Sequence, residues 1–160
     1  MDAVELLMHD HASIRITAEN DLLNSHDMMD FQLFLMKIHV AVEEKIVFPA
    51  LVGVVDYNTR KTIDTLIADH KLLDKFYGNL LKWKEEENPL YTNRLPLFYK
   101  TLTYHNSQEE KLVFPAWKHM GKEPAERALK EAHEIIESAG IDMYMKETGV
   151  SLEMLNYIFL

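Results

Sequence analysis

The chain has 160 residues, no cysteine and a formal net charge of -9. Its length predicts one domain with a sizeable core, and the missing cysteines exclude disulfides, iron–sulfur clusters and thiolate-bound zinc. The acidic charge argues against a nucleic-acid partner, and a polar N-terminus without any long apolar run indicates a cytoplasmic protein that does not cross a membrane.

Helical periodicity dominates the first half of the chain. Apolar residues recur at helical spacing almost throughout, and no stretch alternates as a strand would. The first predicted helix covers about residues 3–23 and ends at Asn24-Ser25. The second covers about residues 27–55, with Ser25 or Asp27 as its cap.

The second half is predicted to contain two more long helices. After a turn at residues 56–58, a helix over about residues 59–86 has Thr59 as its cap. Asn88-Pro89 then breaks the chain, because a proline disfavours helix in the residue before it. The fourth helix covers about residues 94–120 and ends at a glycine.

Two prolines fall at matching places inside the second and fourth predicted helices. Pro49 and Pro115 each remove one backbone hydrogen bond, which predicts a kink in the helix. The alternative is that a helix ends at each proline.

Four long helices with short links predict an all-α fold, an up-down-up-down antiparallel four-helix bundle over residues 1–120. Residues 121–160 follow as a helical extension, with a helix from about Pro124 to Ser138 and a stop at Gly140. The last ten residues, SLEMLNYIFL, are too apolar to face water. The extension is therefore expected to pack on the bundle or on a partner, and a homodimer through this segment is one form of that prediction.

A thirteen-residue phrase occurs twice in the chain. Residues 39–51 read HVAVEEKIVFPAL and residues 105–117 read HNSQEEKLVFPAW. Each copy opens with a histidine and has a glutamate four residues later, which places both side chains on one helix face. An Asp-His pair precedes each copy. The chain thus carries two similar sets of metal-ligating residues: His11, His39 and Glu43, then His70, His105 and Glu109.

The second glutamate of each copy has a different orientation. Glu44 and Glu110 are rotated by roughly 100° from the first glutamates. They are expected to turn away from the ligands, as hydrogen-bond acceptors around the site or as surface residues.

The two sets predict a dinuclear metal site. A buried carboxylate costs several kcal/mol unless it is paired or bound to metal. Imidazole and carboxylate without thiolate suit iron, manganese or zinc, and structural zinc sites are usually mononuclear and closed. No histidine has an acidic residue three positions before it, so the Glu-x-x-His pairs of ferritin-like proteins are absent. Iron is the metal that this pattern favours.

Over about residues 5–120 the chain resembles the hemerythrin-like (HHE cation-binding) domain proteins, through the repeated motif H-x-x-x-E-E-x-x-x-F-P. The resemblance implies two iron ions, with manganese or zinc as substitutes. It implies that His11 and His39 bind one ion and that His70 and His105 bind the other. Glu43 and Glu109 would bridge the ions together with an oxo or hydroxo group.

The chain departs from the oxygen-carrying hemerythrins at two places. Their third helix carries H-x-x-x-H, whereas Asp74 stands four residues after His70 here. Their last carboxylate is an aspartate five residues after its histidine, whereas Glu109 follows His105 by four. Asp74 is interpreted as an additional ligand, as a residue supporting the site, or as an ion-pair partner of Arg15.

The remaining histidines and two tyrosines complete the candidate residues. Tyr77 and Tyr104 either line the pocket or pack in the core. Four histidines are predicted to lie on the surface: His9, His26, His119 and His133.

Three functions are compatible with this pattern. The leading hypothesis is a non-heme diiron protein that binds dioxygen or a related small molecule for sensing, storage or transport. The first alternative is a diiron enzyme that acts on peroxide or nitric oxide. The second is an iron-responsive interaction module whose C-terminal segment meets a partner. The reduced ligand count favours chemistry, while the dense apolar lining favours binding.

Overall fold

The first helix begins where its periodicity predicts. The structure is a computed structural model that describes residues 1–21 and 27–159, and the described residues form helices with no strand among them. Helix α1 covers Ala3–Asp21. The predicted helix end at Asn24-Ser25, the alternative cap Ser25 and the predicted surface residue His26 lie outside the described residues.

The second helix, α2, covers residues 28–52 and departs twice from α-helical hydrogen bonding. Asp27 is its cap, because its carboxylate accepts hydrogen bonds from the backbone N–H groups of Met29 and Asp30. Wider π-helical turns replace the α-helix at Phe34–His39 and Glu43–Val47. Such turns are rare and concentrate at functional sites.

Helix α3 covers Tyr57–Glu85, and its cap differs from the predicted one. Asp56 has extended backbone and accepts a hydrogen bond from the N–H of Thr59 at 2.8 Å. The prediction that Thr59 caps this helix is wrong. A capping side chain must stand just ahead of the first turn, and Thr59 already lies inside that turn.

Helix α4 covers residues 90–119 and starts four residues earlier than predicted. Pro89 immediately precedes it, where the missing N–H of a proline removes no helical hydrogen bond. The α-helical part, Leu90–Gln108, is followed by a π-helical turn at Glu109–Val113 and a 3-10 turn at Phe114–His119.

Each of the two matching prolines follows a π-helical turn. The N–H groups of Phe48 and Phe114 bond the carbonyl oxygens of Glu43 and Glu109, five residues back. The alternative that α2 ends at Pro49 is wrong, because the helix continues to Val52. At Pro115 the helix narrows to the 3-10 turn and ends at His119. A kink at each proline stays a prediction.

Helices α1–α4 form the antiparallel four-helix bundle that the sequence predicts, and aromatic rings fill one end of its core. Phe98 packs edge-on against Tyr77 and Phe76, with ring centroids 5.1 and 5.5 Å apart. The hydroxyl of Tyr77 donates to the carbonyl oxygen of Met28. Tyr77 is therefore a core residue, whereas the side chain of Tyr104 is 65% exposed.

The C-terminal extension comprises α5 (Lys122–Ala139), α6 (Ile141–Thr148) and α7 (Leu152–Phe159). Gly140 ends α5 with φ of 125° and Gly149 ends α6 with φ of 71°, values that glycine adopts readily. Helix α7 packs on α5 through a stacked pair, His133 and Phe159, whose centroids are 4.0 Å apart. The domain boundary near residue 120 and the homodimer stay predictions. Among the described helices, none combines the length and apolar character that a bilayer span requires.

Candidate metal centre

All six predicted ligands lie at one level inside the bundle. Helices α1 and α3 each contribute one histidine, while α2 and α4 each contribute a histidine and a glutamate. No ligand is more than 3% exposed. The six residues are His11, His39, Glu43, His70, His105 and Glu109.

The ligands form two groups that share both glutamates. We call His11, His39, Glu43 and Glu109 the first ligand group. We call His70, His105, Glu43 and Glu109 the second ligand group. Within each group, one nitrogen or oxygen atom from every residue lies within 4.8 Å of all the others. This division is the one that the family resemblance implies.

The ligand atoms have no hydrogen-bond partner among the described residues. The Nε2 atoms of all four histidines and both carboxylate oxygens of Glu43 and Glu109 are buried without such a partner. The shortest approach between them is 3.1 Å, from His105 Nε2 to Glu109 Oε1. A buried polar atom left unpaired costs about 1–3 kcal/mol, so eight of them in one cluster require a compensating charge. The residues present therefore fit a pair of metal cations.

An outer carboxylate lies beside the second nitrogen of every histidine. The Nδ1–H of His70 donates to Glu44 at 2.8 Å, and that of His11 donates to Glu110 at 2.9 Å. Asp10 lies 3.3 Å from Nδ1 of His39. Such partners fix the orientation of the imidazole, so that Nε2 of each histidine would be free to hold a metal ion. The four pairs are His11 with Glu110, His39 with Asp10, His70 with Glu44, and His105 with Asp69.

These four pairs form a closed ring around the bundle. Asp10 on α1 contacts His39 on α2, and Glu44 on α2 contacts His70 on α3. Asp69 on α3 lies near His105 on α4, and Glu110 on α4 contacts His11 on α1. Asp10 and Asp69 are the aspartates of the repeated Asp-His pair, and they are functional candidates that the predicted ligand set does not include. Their occurrence before a histidine in both halves of the chain is the sequence feature that could have indicated a role at the site.

Asp74 and Arg15 do not meet. Asp74 is exposed and accepts a hydrogen bond from Gln32 at 3.3 Å, and it belongs to neither ligand group. Arg15 donates to Glu110 at 2.8 Å instead. The phase of α3 explains the outcome, because Leu73 and Tyr77 face the core and Asp74 is rotated by roughly 100° from Leu73.

The other histidines lie outside the centre. His119 is exposed as predicted. His9 and His133 are half-buried rather than fully exposed, since His9 has a buried ring nitrogen and His133 stacks on Phe159.

The buried charges strongly shift the pKa values of His39, His70 and Glu109. Burial alone would lower the pKa of His39, but the charge of Glu43 and the contact with Asp10 raise it from 6.5 to about 9. The pKa of His70 rises to about 10 for the same kind of reason, with Glu109 and Glu43 as neighbours. Without metal, His39 and His70 hold protons at neutral pH, so metal binding to these two histidines must release protons.

The stability of the metal-free protein is expected to depend on pH in both directions. Protonated His39 and His70 stabilise the folded state, because their pKa values are higher there than in the unfolded chain. This stabilisation is complete below pH 6.5 and is lost as pH rises through about 9 for His39 and about 10 for His70. Burial and the charge of Glu43 would raise the pKa of Glu109, but its neighbouring imidazoles lower it to about 2. The stability that ionised Glu109 contributes to the fold is present above pH 4.5 and is lost as pH falls through about 2.

Urea denaturation of metal-free protein across a pH series checks this expectation. The free energy of unfolding should be highest between pH 4.5 and 6.5 and should fall between pH 6.5 and 10. A free energy of unfolding that increased up to pH 9 would contradict it.

Comparison with known proteins agrees with the geometry of the site. Residues 2–117 match the family described as the hemerythrin HHE cation binding domain. No curated protein and no solved structure matches the chain. The family match spans both copies of the repeated phrase and well over half of the residues, and the buried histidines and glutamates within it form two groups that could each hold a metal ion. The chain therefore belongs to the hemerythrin HHE cation-binding domain family.

Proposed function

We propose that the protein holds two iron ions and binds dioxygen or a related small molecule beside them. The observation that carries this proposal is the sharing of Glu43 and Glu109 by both ligand groups, since shared carboxylates suit two ions held as a pair. Two histidines and two shared carboxylates per ion leave coordination positions for an exogenous ligand. When bound, the iron pair supplies the redox chemistry.

A narrow cavity adjoins the ligands. It is too narrow to hold a water molecule in this structure, and it is lined by His39, His70 and His105 from three helices. Its other lining residues are Leu35, Met36, Val40, Leu73, Leu102 and Asn106. Apart from the three histidines, the lining offers no acid or base, which favours binding over a reaction that needs proton delivery. Met36 is the one partly exposed member of the lining, and its flexible side chain can open the cavity to solvent.

Besides the three histidines, Asn106 is the polar residue in the lining of this cavity. It is fully buried, and neither atom of its amide has a hydrogen-bond partner among the described residues. The corresponding residue in the first copy of the phrase is Val40, which lines the same cavity. An unpaired buried amide is unfavourable unless a ligand completes it. We assign Asn106 as the donor to a ligand that carries a hydrogen-bond acceptor.

Replacing Asn106 by leucine is expected to weaken azide binding by the iron-loaded protein about 2- to 10-fold, the loss of one hydrogen bond. Optical titration with azide measures the affinity. Val40→Leu is the control for crowding of the same cavity, and it should leave a stronger azide affinity than Asn106→Leu. If Asn106→Leu and the unaltered protein bind azide with equal affinity, Asn106 does not donate a hydrogen bond to the ligand.

The proposal as a whole is tested by metal content and reactivity. Protein loaded with iron should contain about two ions per chain, as the two ligand groups require. After anaerobic reduction, the optical spectrum is followed on exposure to dioxygen, peroxide and nitric oxide in turn. A content near one ion, or zinc alone after loading with iron, would contradict the diiron site.

One observation favours the enzymatic alternative. Asp69, 3.7 Å from Nδ1 of His105, has a side chain that is 43% exposed, so water can carry protons to the edge of the second ligand group. Sustained turnover of peroxide or nitric oxide in the same experiment would support this alternative. A reversible spectral change with dioxygen would support binding.

A further inference from the structure

We propose that Tyr144, in the C-terminal extension, is a positioning residue for His39 and couples the docking of α6 to the metal ion of the first ligand group. Tyr144 lies outside residues 2–117, the part of the chain that matches the family. The inference rests on the proposed metal binding and adds a role for residues 121–160.

A buried hydrogen-bond chain joins Tyr144 to His39. The hydroxyl of Tyr144 donates to Oδ1 of Asp10 at 2.9 Å. The other oxygen of Asp10, Oδ2, accepts from Nδ1 of His39 at 3.3 Å. Tyr144 is fully buried, and Asp10 and His39 are each only 1% exposed. No water reaches this carboxylate to replace the tyrosine, so its orientation depends on the hydroxyl.

The hydroxyl stays a donor under all ordinary conditions. Burial and the charge of Asp10 raise the pKa of Tyr144 far above its usual range. Asp10 therefore keeps one oxygen for the tyrosine and presents the other to the imidazole, which holds Nε2 of His39 toward Glu43 at 3.2 Å.

The second half of the chain lacks this arrangement. Asp69 occupies the place of Asp10 in the repeated Asp-His pair, but its side chain is 43% exposed and stands 3.7 Å from Nδ1 of His105. Solvent can orient Asp69, whereas only Tyr144 orients Asp10 among the described residues. The effect of the extension should therefore be confined to the first ligand group.

Helix α6 is docked on the two helices that carry His11 and His39. The hydroxyl of Ser13 on α1 donates to the carbonyl oxygen of Thr148 at 3.1 Å. Lys146 pairs with Asp30 on α2. Because Tyr144 completes these contacts through Asp10, metal binding by His39 and docking of α6 must strengthen each other by the same factor.

Anaerobic titration with Fe²⁺ tests the role of the hydroxyl. Tyr144→Phe keeps the ring and removes the donor. The affinity for one of the two Fe²⁺ ions should fall roughly tenfold, and the affinity for the other should stay unchanged. Tenfold is the lower end of the effect that hydrogen-bond partners of metal ligands have on metal affinity. Tyr77→Phe is the matched control, since Tyr77 is also fully buried but donates to the carbonyl oxygen of Met28. It should leave both affinities unchanged.

Two further measurements separate positioning from general packing. Asp10→Asn combined with Tyr144→Phe should bind Fe²⁺ as weakly as Asp10→Asn alone, because the hydroxyl acts through that carboxylate. Hydrogen exchange of the amides in Ile141–Thr148 should slow when Fe²⁺ binds to the unaltered protein. In Tyr144→Phe, Fe²⁺ should slow the exchange of these amides less, and the reduction should equal the factor by which the Fe²⁺ affinity falls.

The outcomes distinguish this inference from the proposed function. If the unaltered protein takes up two ions and Tyr144→Phe retains both affinities and the full slowing of exchange, Tyr144 does not position His39 and the metal centre stands. Equal weakening in Tyr77→Phe would likewise overturn the role of Tyr144. If the unaltered protein takes up no pair of ions, the proposed function itself is wrong.

Discussion

Replacing Glu43 by alanine is expected to abolish binding of both metal ions. Glu43 belongs to both ligand groups, with one oxygen 3.2 Å from Nε2 of His39 and the other 3.2 Å from Nε2 of His70. Its loss removes a carboxylate from each ion at once. The measurement is the metal content of protein loaded with iron and then freed of loosely held ions.

The neighbouring glutamate supplies a graded comparison. Among the described residues Glu44 contacts one candidate ligand, His70, through Nδ1, so Glu44→Ala should weaken binding of one ion roughly 10- to 100-fold and spare the other. Glu43→Gln keeps the shape of the side chain and should lose both ions without loss of helical circular dichroism. Retention of two ions by Glu43→Ala, or greater sensitivity at Glu44, would show that Glu43 does not bridge.

The largest effect on stability is expected from Phe98→Ala. Phe98 is fully buried and contacts the rings of Phe76, Tyr77 and Tyr99. Truncating a buried phenylalanine costs about 3–5 kcal/mol, a large share of the roughly 5–15 kcal/mol that stabilises a typical domain. Urea denaturation of the metal-free protein should show this loss as a lower midpoint.

Leu97 provides the control for the same turn of α4. Its side chain is 45% exposed, so Leu97→Ala should cost less than about 1 kcal/mol. A midpoint for Phe98→Ala close to that of Leu97→Ala would mean that the aromatic layer contributes little to the bundle.

The clustering of the six candidate ligands could be predicted because it depends on local spacing. A histidine and a glutamate four residues apart share a helix face whatever the rest of the chain does, and the second copy repeats the signal. His11 and His70 follow once the helices are counted, since four antiparallel helices with short links bring each histidine to a common level.

The surroundings of the ligands could not be predicted in the same way. The contact of Tyr144 with Asp10 spans 134 residues, and no local pattern sets such a distance. The π-helical turns at Glu43 and Glu109 precede prolines, which indicate a disturbance of the helix without fixing its form. The offset of Asp74 from His70 indicates a candidate ligand, but the phase of α3 places Asp74 at the surface.

The ring of carboxylate–imidazole pairs also determines how the four helices align along their axes. Apolar side chains tolerate sliding, because one aliphatic contact substitutes for another. A slip of one helical turn, however, keeps the apolar face toward the core but moves the helix by about 5.4 Å, which separates its histidine and its carboxylate from their partners. Every helix takes part in two such pairs, so no helix can slip without breaking both. The polar ring thus selects one alignment from the many that the apolar core alone would allow.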